Sequence, residues 1–287
     1  DHARCERKYA LGNAGAREGA SRNPAVVREP TRPLDKGTLV HVGLAHHHIA
    51  LAGAQRGIDT RAAYLLPGEA IRACAARMAR QHPAFTSTLS EWAAEARDGL
   101  QAYVRAQTGR VYDVLAVEQI VYFAFRGDDG VLYPGTLRLD LIKRTRRGSV
   151  YFVDYKSTSR LDHKVRVRYT LSGQIQLQRF LGPQLYPREH AGGTVVIDVI
   201  EWPGRGQSEP NIASLQLPPT PSAQQDIVKW YIARRQQIEA GWRQHTDPWD
   251  WAPGYDEQVC VSAYAPCDYI DACAQGVLGY LTRGVSP

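Results

Sequence analysis

The residues of this 287-residue sequence best suited to chemistry are two carboxylates and an amine. In LRLDLIK, Asp140 follows Arg138 by two positions, and in VYFVDYKST, Asp154 and Lys156 are again two apart. Both stretches are β-rich, and side chains alternate across a strand. Arg138 and Asp140 therefore share one face, exposed to a cleft or to solvent, while Leu137, Leu139 and Leu141 take the other. Asp154 and Lys156 likewise share a face opposite Val153 and Tyr155. The turn signal RTRRG between the stretches suggests a hairpin that brings Asp140 and Asp154 together beside an ammonium group. Two carboxylates held close repel one another, and a divalent cation between them makes the arrangement tolerable. Lysine can then orient or help deprotonate a water and stabilise charge developing on a scissile phosphate. That is the logic of metal-assisted phosphodiester hydrolysis. A D-x-K triplet alone fits a surface ion pair equally well; the acid in the preceding strand is what favours chemistry.

These residues need a sheet to hold them. VLAVEQIVYFAF, LYPGTLRLDLIK and SVYFVDYKS are three β-rich runs separated by RGDDG and RTRRG, which predicts consecutive antiparallel strands. Upstream, residues 38–54 and 62–108 look helical, with Pro67 and Pro83 breaking the second stretch. Residues 1–36 show no sustained period and end in REPTRPLDKG, which is expected to be loop. Downstream, the pattern predicts a helix over 170–182, a strand at TVVIDVIEW and a long helix over 221–244. The tail from 246 is rich in Trp, Tyr, Pro and Cys with little periodicity, and there is no internal repeat.

A net charge of +6 and a pI near 9.1 permit a polyanionic partner without demanding one. Lys143, Arg144, Arg146 and Arg147 cluster, and in HKVRVR the period-two spacing of Lys164, Arg166 and Arg168 would put all three on one side of an extended segment. No run of eighteen apolar residues exists to span a bilayer, and DHARCERKY lacks the apolar centre of a signal peptide, so no membrane partner and a cytoplasmic location are expected.

Five cysteines are placed unevenly: Cys5 near the start, Cys74 in an Ala-rich helix, and Cys260, Cys267 and Cys273 in the tail. A disulfide framework does not suit a chain of this size without a secretion signal. Four thiolates from Cys5, Cys260, Cys267 and Cys273 could hold zinc or an iron–sulfur cluster, and chemistry alone leaves the two nearly tied. Cys74 is expected to be an ordinary buried small residue.

LRLDLI followed by FVDYKST resembles the second and third motifs of the PD-(D/E)XK nuclease superfamily. GTLVH is similar to the Gly-x-x-x-His helix motif of its RecB-like branch, which implies His41 as a metal ligand. A neutral imidazole suits Mn²⁺ or Mg²⁺ beside two carboxylates, Mn²⁺ more so. His46, His47 and His48 follow it, and on composition alone would be a metal-binding cluster or a polar helix face. SGQIQLQRFLG matches the branch's Gln-x-x-x-Tyr helix imperfectly, so the glutamine role falls to Gln174 or Gln176. Glu118, in AVEQ, stands where relatives often carry a glutamate near the site. RCERKYALG and YAPCDYIDAC resemble the ends of the iron–sulfur members, AddB-type helicase–nuclease subunits and CRISPR-associated adaptation nucleases.

The resemblance implies one α/β domain over residues 1–287. Its expected parts are a restriction-endonuclease-like core with a central mixed sheet flanked by helices, a helical insertion at about 55–108, and an iron–sulfur flap of residues 1–12 and 255–280 joining the termini. It implies a 4Fe-4S cluster, and Mg²⁺ or Mn²⁺ held by His41, Asp140, Asp154 and the Tyr155 carbonyl, with Lys156 assisting the attacking water. The implied partner is DNA, cut as an exonuclease on single-stranded or end-accessible substrate, with a helicase or other recombination, repair or adaptation proteins alongside. The rivals are a catalytically inactive DNA-binding or scaffold subunit of the same fold, a zinc-stabilised nucleic-acid-binding protein, and a sequence-specific endonuclease.

Overall fold

A computed structural model describes residues 32–203, 209–218 and 221–244. The four cysteines assigned to a cluster, and both segments of the expected flap, lie outside these residues. Three helices come first: α1 (Arg32–Gln55), α2 (Pro67–Gln81) and α3 (Thr86–Gln107). Strands β1 (Tyr112–Arg126), β2 (Leu132–Thr145) and β3 (Val150–Thr158) follow. Helices α4 (His163–Thr170) and α5 (Gly173–Leu185) lead to β4 (His190–Glu201), β5 (Asn211–Leu217) and α6 (Pro221–Gln244). Among the described residues no helix is long and apolar enough to cross a membrane.

The five strands lie in sequence order in one mixed sheet, antiparallel except for the β3/β4 pair. Helices α1, α2 and α3 cover one face. Leu39, Leu44, Ile71, Leu89, Trp92, Leu100 and Tyr103 pack there against Leu141, Val153, Tyr155, Val196 and Ile200. By alternation Phe152 and Ile197, both fully buried, point to the other face, which α5 covers with Ile175 and Leu181. Both turns of the β1–β2–β3 meander place glycine at positive φ, Gly130 at 76° and Gly148 at 83°, where a side chain would be strained. Cys74 is buried in α2, as its Ala-rich setting indicates.

Close packing of α3 depends on a missing side chain. A Cβ at Gly99 would lie 2.8 Å from Trp202 Cζ3 and 2.9 Å from Cη2. Trp202 cannot easily yield, because the Lys36 ammonium sits 3.7 Å from its ring centroid. Gly99→Ala should therefore destabilise the domain: overpacking costs about 1–3 kcal/mol and outweighs the helix propensity gained, at most about 1 kcal/mol. Urea unfolding with a lowered midpoint and an unchanged slope is the expected result.

Four features differ from the sequence pattern. HKVRVR is helical rather than extended: the Asp162 carboxylate caps α4 by accepting from the Val165 amide at 3.0 Å, and Val165 and Tyr169, four apart, form its buried face. Lys164 and Arg168 then share a side and Arg166 points away from them. Helix α1 starts at Arg32, within the expected loop, since proline is tolerated in a first turn. The helix expected over 170–182 runs as α5 from Gly173 to Leu185, with Leu171 and Ser172 separating it from α4. Strand β5 was not anticipated, although the exposure of NIASLQL alternates along part of its length.

Candidate active site

The site lies where β2 and β3 part. Their ladder runs from Arg144↔Val150 to Leu141↔Val153 and stops. One step further, the register would set Asp140 opposite Asp154. Between β1 and β2, Val117↔Leu141 and Gln119↔Leu139 leave Glu118 opposite Asp140. Glu118 and Asp140 are thus cross-strand neighbours, and Asp154 takes the next place in the row on the far side of the fork. Asp140 is 4 % exposed and Asp154 fully buried. Alternation predicts an Asp140 exposed to a cleft or to solvent; it is buried, with the Tyr155 amide and His41 of α1 against its carboxylate.

Each acid has its own setting. Asp140 Oδ2 accepts a hydrogen bond from the Tyr155 amide at 2.9 Å, replacing the ladder bond lost at the fork. A strand residue points its N–H and C=O to the same edge, so the Tyr155 carbonyl also faces the fork. His41, from α1, brings Nδ1 to 3.5 Å from the same Asp140 oxygen. Glu118 has a φ of 51°, in the left-handed region, and its Oε2 lies 3.0 Å from Arg138 Nε. Burial, then the charge of Asp140, push the Glu118 carboxyl above its ordinary value, with Arg138 opposing. Burial also pushes Asp154 up, while Lys156, with Nζ 2.5 Å from Asp154 Oδ2, pulls it down.

Helix α5 completes the Asp154 side. Gln174 Nε2 donates to Asp154 Oδ1 at 2.7 Å and its Oε1 accepts from Lys156 Nζ at 3.4 Å. Gln178, one turn on and fully buried, donates to the same Oδ1 at 3.2 Å. Gln176 is not brought to the site; its amide donates to the Thr170 carbonyl. Sequence reasoning passed over Gln178, which occupies the position of the motif's tyrosine four residues after Gln174.

Of the other histidines, His46 reaches the Leu65 carbonyl at 2.8 Å. His48 is buried under Tyr155, their rings stacked with centroids 5.9 Å apart. Its Nδ1 must carry the proton, since it contacts the Leu44 carbonyl at 2.9 Å, leaving Nε2 to accept from the Tyr112 hydroxyl at 3.2 Å. The Tyr155 hydroxyl also bonds Tyr103, which donates to Asp198 Oδ2 at 3.0 Å, and Ser214 of β5 donates to Oδ1. This buried polar chain fixes the ring of the residue between Asp154 and Lys156.

Burial drives the His48 pKa from 6.5 down to about 3. The folded state thus keeps His48 neutral while the unfolded chain protonates below 6.5, so stability falls as pH drops from about 6.5 towards 3. Between pH 7 and pH 5 this linkage removes about 2 kcal/mol, a figure insensitive to how far below 4 the folded value lies. Urea unfolding at both pH values should show a pH loss smaller by that amount in His48→Gln; an equal loss in both proteins would refute the assignment.

The donor atoms of His41, Glu118 and Asp140 lie within 4.8 Å of one another. One nitrogen and two carboxylate oxygens, with the repulsion of adjacent acids to relieve, fit a divalent cation that accepts oxygen and imidazole donors.

The family model of the PD-(D/E)XK nuclease superfamily matches residues 1–274. No curated protein matches the chain. Among solved structures, the crystal structure of SSO0001 aligns with a TM-score of 0.36 and 12% identity, covering 71% of this chain and 81% of that one.

Proposed function

The chain belongs to the PD-(D/E)XK nuclease superfamily, and we propose that it is a Mg²⁺- or Mn²⁺-dependent deoxyribonuclease acting as an exonuclease on single-stranded or end-accessible DNA. The row of Glu118, Asp140 and Asp154, flanked by His41 and Lys156, is the observation that supports this best.

His41, Glu118 and Asp140 would hold a divalent ion, with Asp154 and the Tyr155 carbonyl facing the same fork. Such an ion would supply Lewis acidity to the scissile phosphate and to the attacking water. The chain's own groups supply the rest. Gln174 and Gln178 fix Asp154 through Oδ1, which leaves Oδ2 towards Lys156. The Lys156 ammonium, held between Asp154 and Gln174, orients the attacking water and balances charge developing on the phosphate. The Tyr155 amide keeps Asp140 aimed into the fork.

End-labelled single-stranded DNA incubated with anaerobically purified protein tests the proposal. Cleavage should require Mn²⁺ or Mg²⁺, stop with a chelator, and shorten the strand progressively from one end. Discrete fragments from circular DNA would instead indicate an endonuclease. No cleavage with either ion, in folded protein, would leave a DNA-binding scaffold as the better account.

We further propose that Cys5, Cys260, Cys267 and Cys273 bind a 4Fe-4S cluster with a structural role, and that the enzyme works with helicase or other recombination, repair or adaptation proteins. Metal analysis of protein purified without oxygen should find iron and acid-labile sulfide. Cys267→Ala should lose both and melt at a lower temperature. Zinc in place of iron would overturn the cluster assignment.

A further inference from the structure

The β1/β2 ladder continues well past the point where β3 leaves it, from Val117↔Leu141 to Arg126↔Leu132, whereas β2 and β3 pair only as far as Leu141↔Val153. The two strands therefore run on as a two-stranded arm that begins at the carboxylate row. Alternation divides its faces. Val121, Phe125, Tyr133 and Leu137 are buried; they continue the side that α1–α3 cover in the main sheet, and past the fork the twist of the two-stranded ribbon turns this side onto α5, where the Phe125 ring lies 5.5 Å from that of Phe180. On the other face Ile120 is 51% and Tyr122 77% exposed, with Arg138 and Thr136 across from them.

We infer that this outward face is a track for a single DNA strand leading into the carboxylate row, with Tyr122 as a base-stacking platform and Arg138 as a phosphate contact. The inference rests on the nuclease reading above. Three observations support it. The face is continuous with the site, because Arg138 pairs with Glu118 at 3.0 Å and Ile120, its cross-strand partner, is the next residue outward. Its cations stand on the strands and its acids beyond them: residues 119–126 and 132–139 contain Arg126 and Arg138 and no acid, while Asp128 and Asp129 lie in the turn, where Asp129 accepts from the Val131 amide and the buried Tyr133 hydroxyl. Its most exposed large hydrophobic residue is aromatic, and a flat ring on a sheet beside cationic groups is how single strands are held without regard to sequence.

Geometry gives the scale. From Glu118 to Arg126 is eight residues, roughly 27 Å of antiparallel strand. At about 3.4 Å per stacked nucleotide that is room for roughly eight nucleotides, with Tyr122 about four from the row. A strand whose scissile phosphate lies at the carboxylates must continue somewhere, and this arm lies next in line.

The test is fluorescence anisotropy of labelled oligothymidylates with the full-length protein in chelator, so that nothing is cut. Affinity should rise with length up to about eight nucleotides and then level off. Tyr122→Ala should weaken binding of an oligomer of about ten nucleotides roughly tenfold and barely affect one of about three, while Tyr122→Trp restores it. The same factor should appear in the KM for cleavage of the longer strand. Equal affinity of wild type and Tyr122→Ala for the longer oligomer overturns the track. So does a change in sedimentation of Tyr122→Ala without a change in affinity, which would mean that a second copy of the chain covers the face. Hydrolysis of thymidine 5′-p-nitrophenyl phosphate by wild type, a substrate too short to reach Tyr122, separates the two proposals. Turnover of it alongside Tyr122-independent binding discards the track and keeps the nuclease. Tyr122-dependent binding without any turnover discards the nuclease and keeps a strand-binding arm.

Discussion

Lys156→Ala is expected to lower the single-turnover rate of DNA cleavage by about a thousandfold, the range for removing a positioned charge at the reacting group. Two effects combine. The ammonium beside Asp154 Oδ2 is lost, and with it the contact to Gln174. Asp154, already pushed up by burial, also loses the group that chiefly holds it down, so its carboxyl moves further towards the protonated form. A protonated Asp154 is a poorer neighbour for a cation. Raising Mn²⁺ should therefore recover part of the loss in metal affinity and none of the loss in rate at saturation. Circular dichroism melting must accompany the assay, since a buried acid left without its partner also destabilises. A variant that folds and cuts within a fewfold of wild type would remove Lys156 from the chemistry.

Glu118→Gly should do two opposite things: reduce cleavage about a hundredfold and raise the melting temperature of chelator-treated protein by about 2–4 °C. Activity falls because one of three clustered donors is gone. Stability rises because a non-glycine residue at a φ of 51° carries a backbone cost of about 1–2 kcal/mol. The mutual repulsion of Glu118 and Asp140 disappears as well. Glu118→Ala separates the causes, since it removes the charge and keeps the Cβ in the left-handed region. The glycine variant should melt above the alanine variant; the reverse order would show that the backbone stores nothing there.

Much of the sheet was legible because its signals are local. Alternating apolar residues and the glycines of RGDDG and RTRRG specify the three antiparallel strands, and the two-residue spacing of Asp154 and Lys156 on one face follows directly. What depends on tertiary placement was not legible. Asp140 alternates like an exposed residue and is buried, because strand divergence and helix packing are decided by distant residues. In HKVRVR, period-two charges competed with one capping aspartate, and the cap together with the Val165 and Tyr169 face prevailed. Gln174 and Gln176 are equivalent on paper; only the rotation of α5 turns one to Asp154 and the other to Thr170. Gln178 was hidden because the motif expects tyrosine there. The row of three acids lies in strand register, and the bulge between Val114 and Ala116, which shifts that register by one, has no glycine to announce it.

The bond from the Tyr155 amide to Asp140 has a spectroscopic consequence. Most strand amides are protected by a carbonyl that no chemistry alters, whereas this one is protected by the side chain of an acid at the heart of the site. Its proton exchange rate and nitrogen chemical shift will follow the charge and position of one carboxylate. A single cross-peak thus reports whether Asp140 is free or engaged by a cation, in the intact protein and without any substrate.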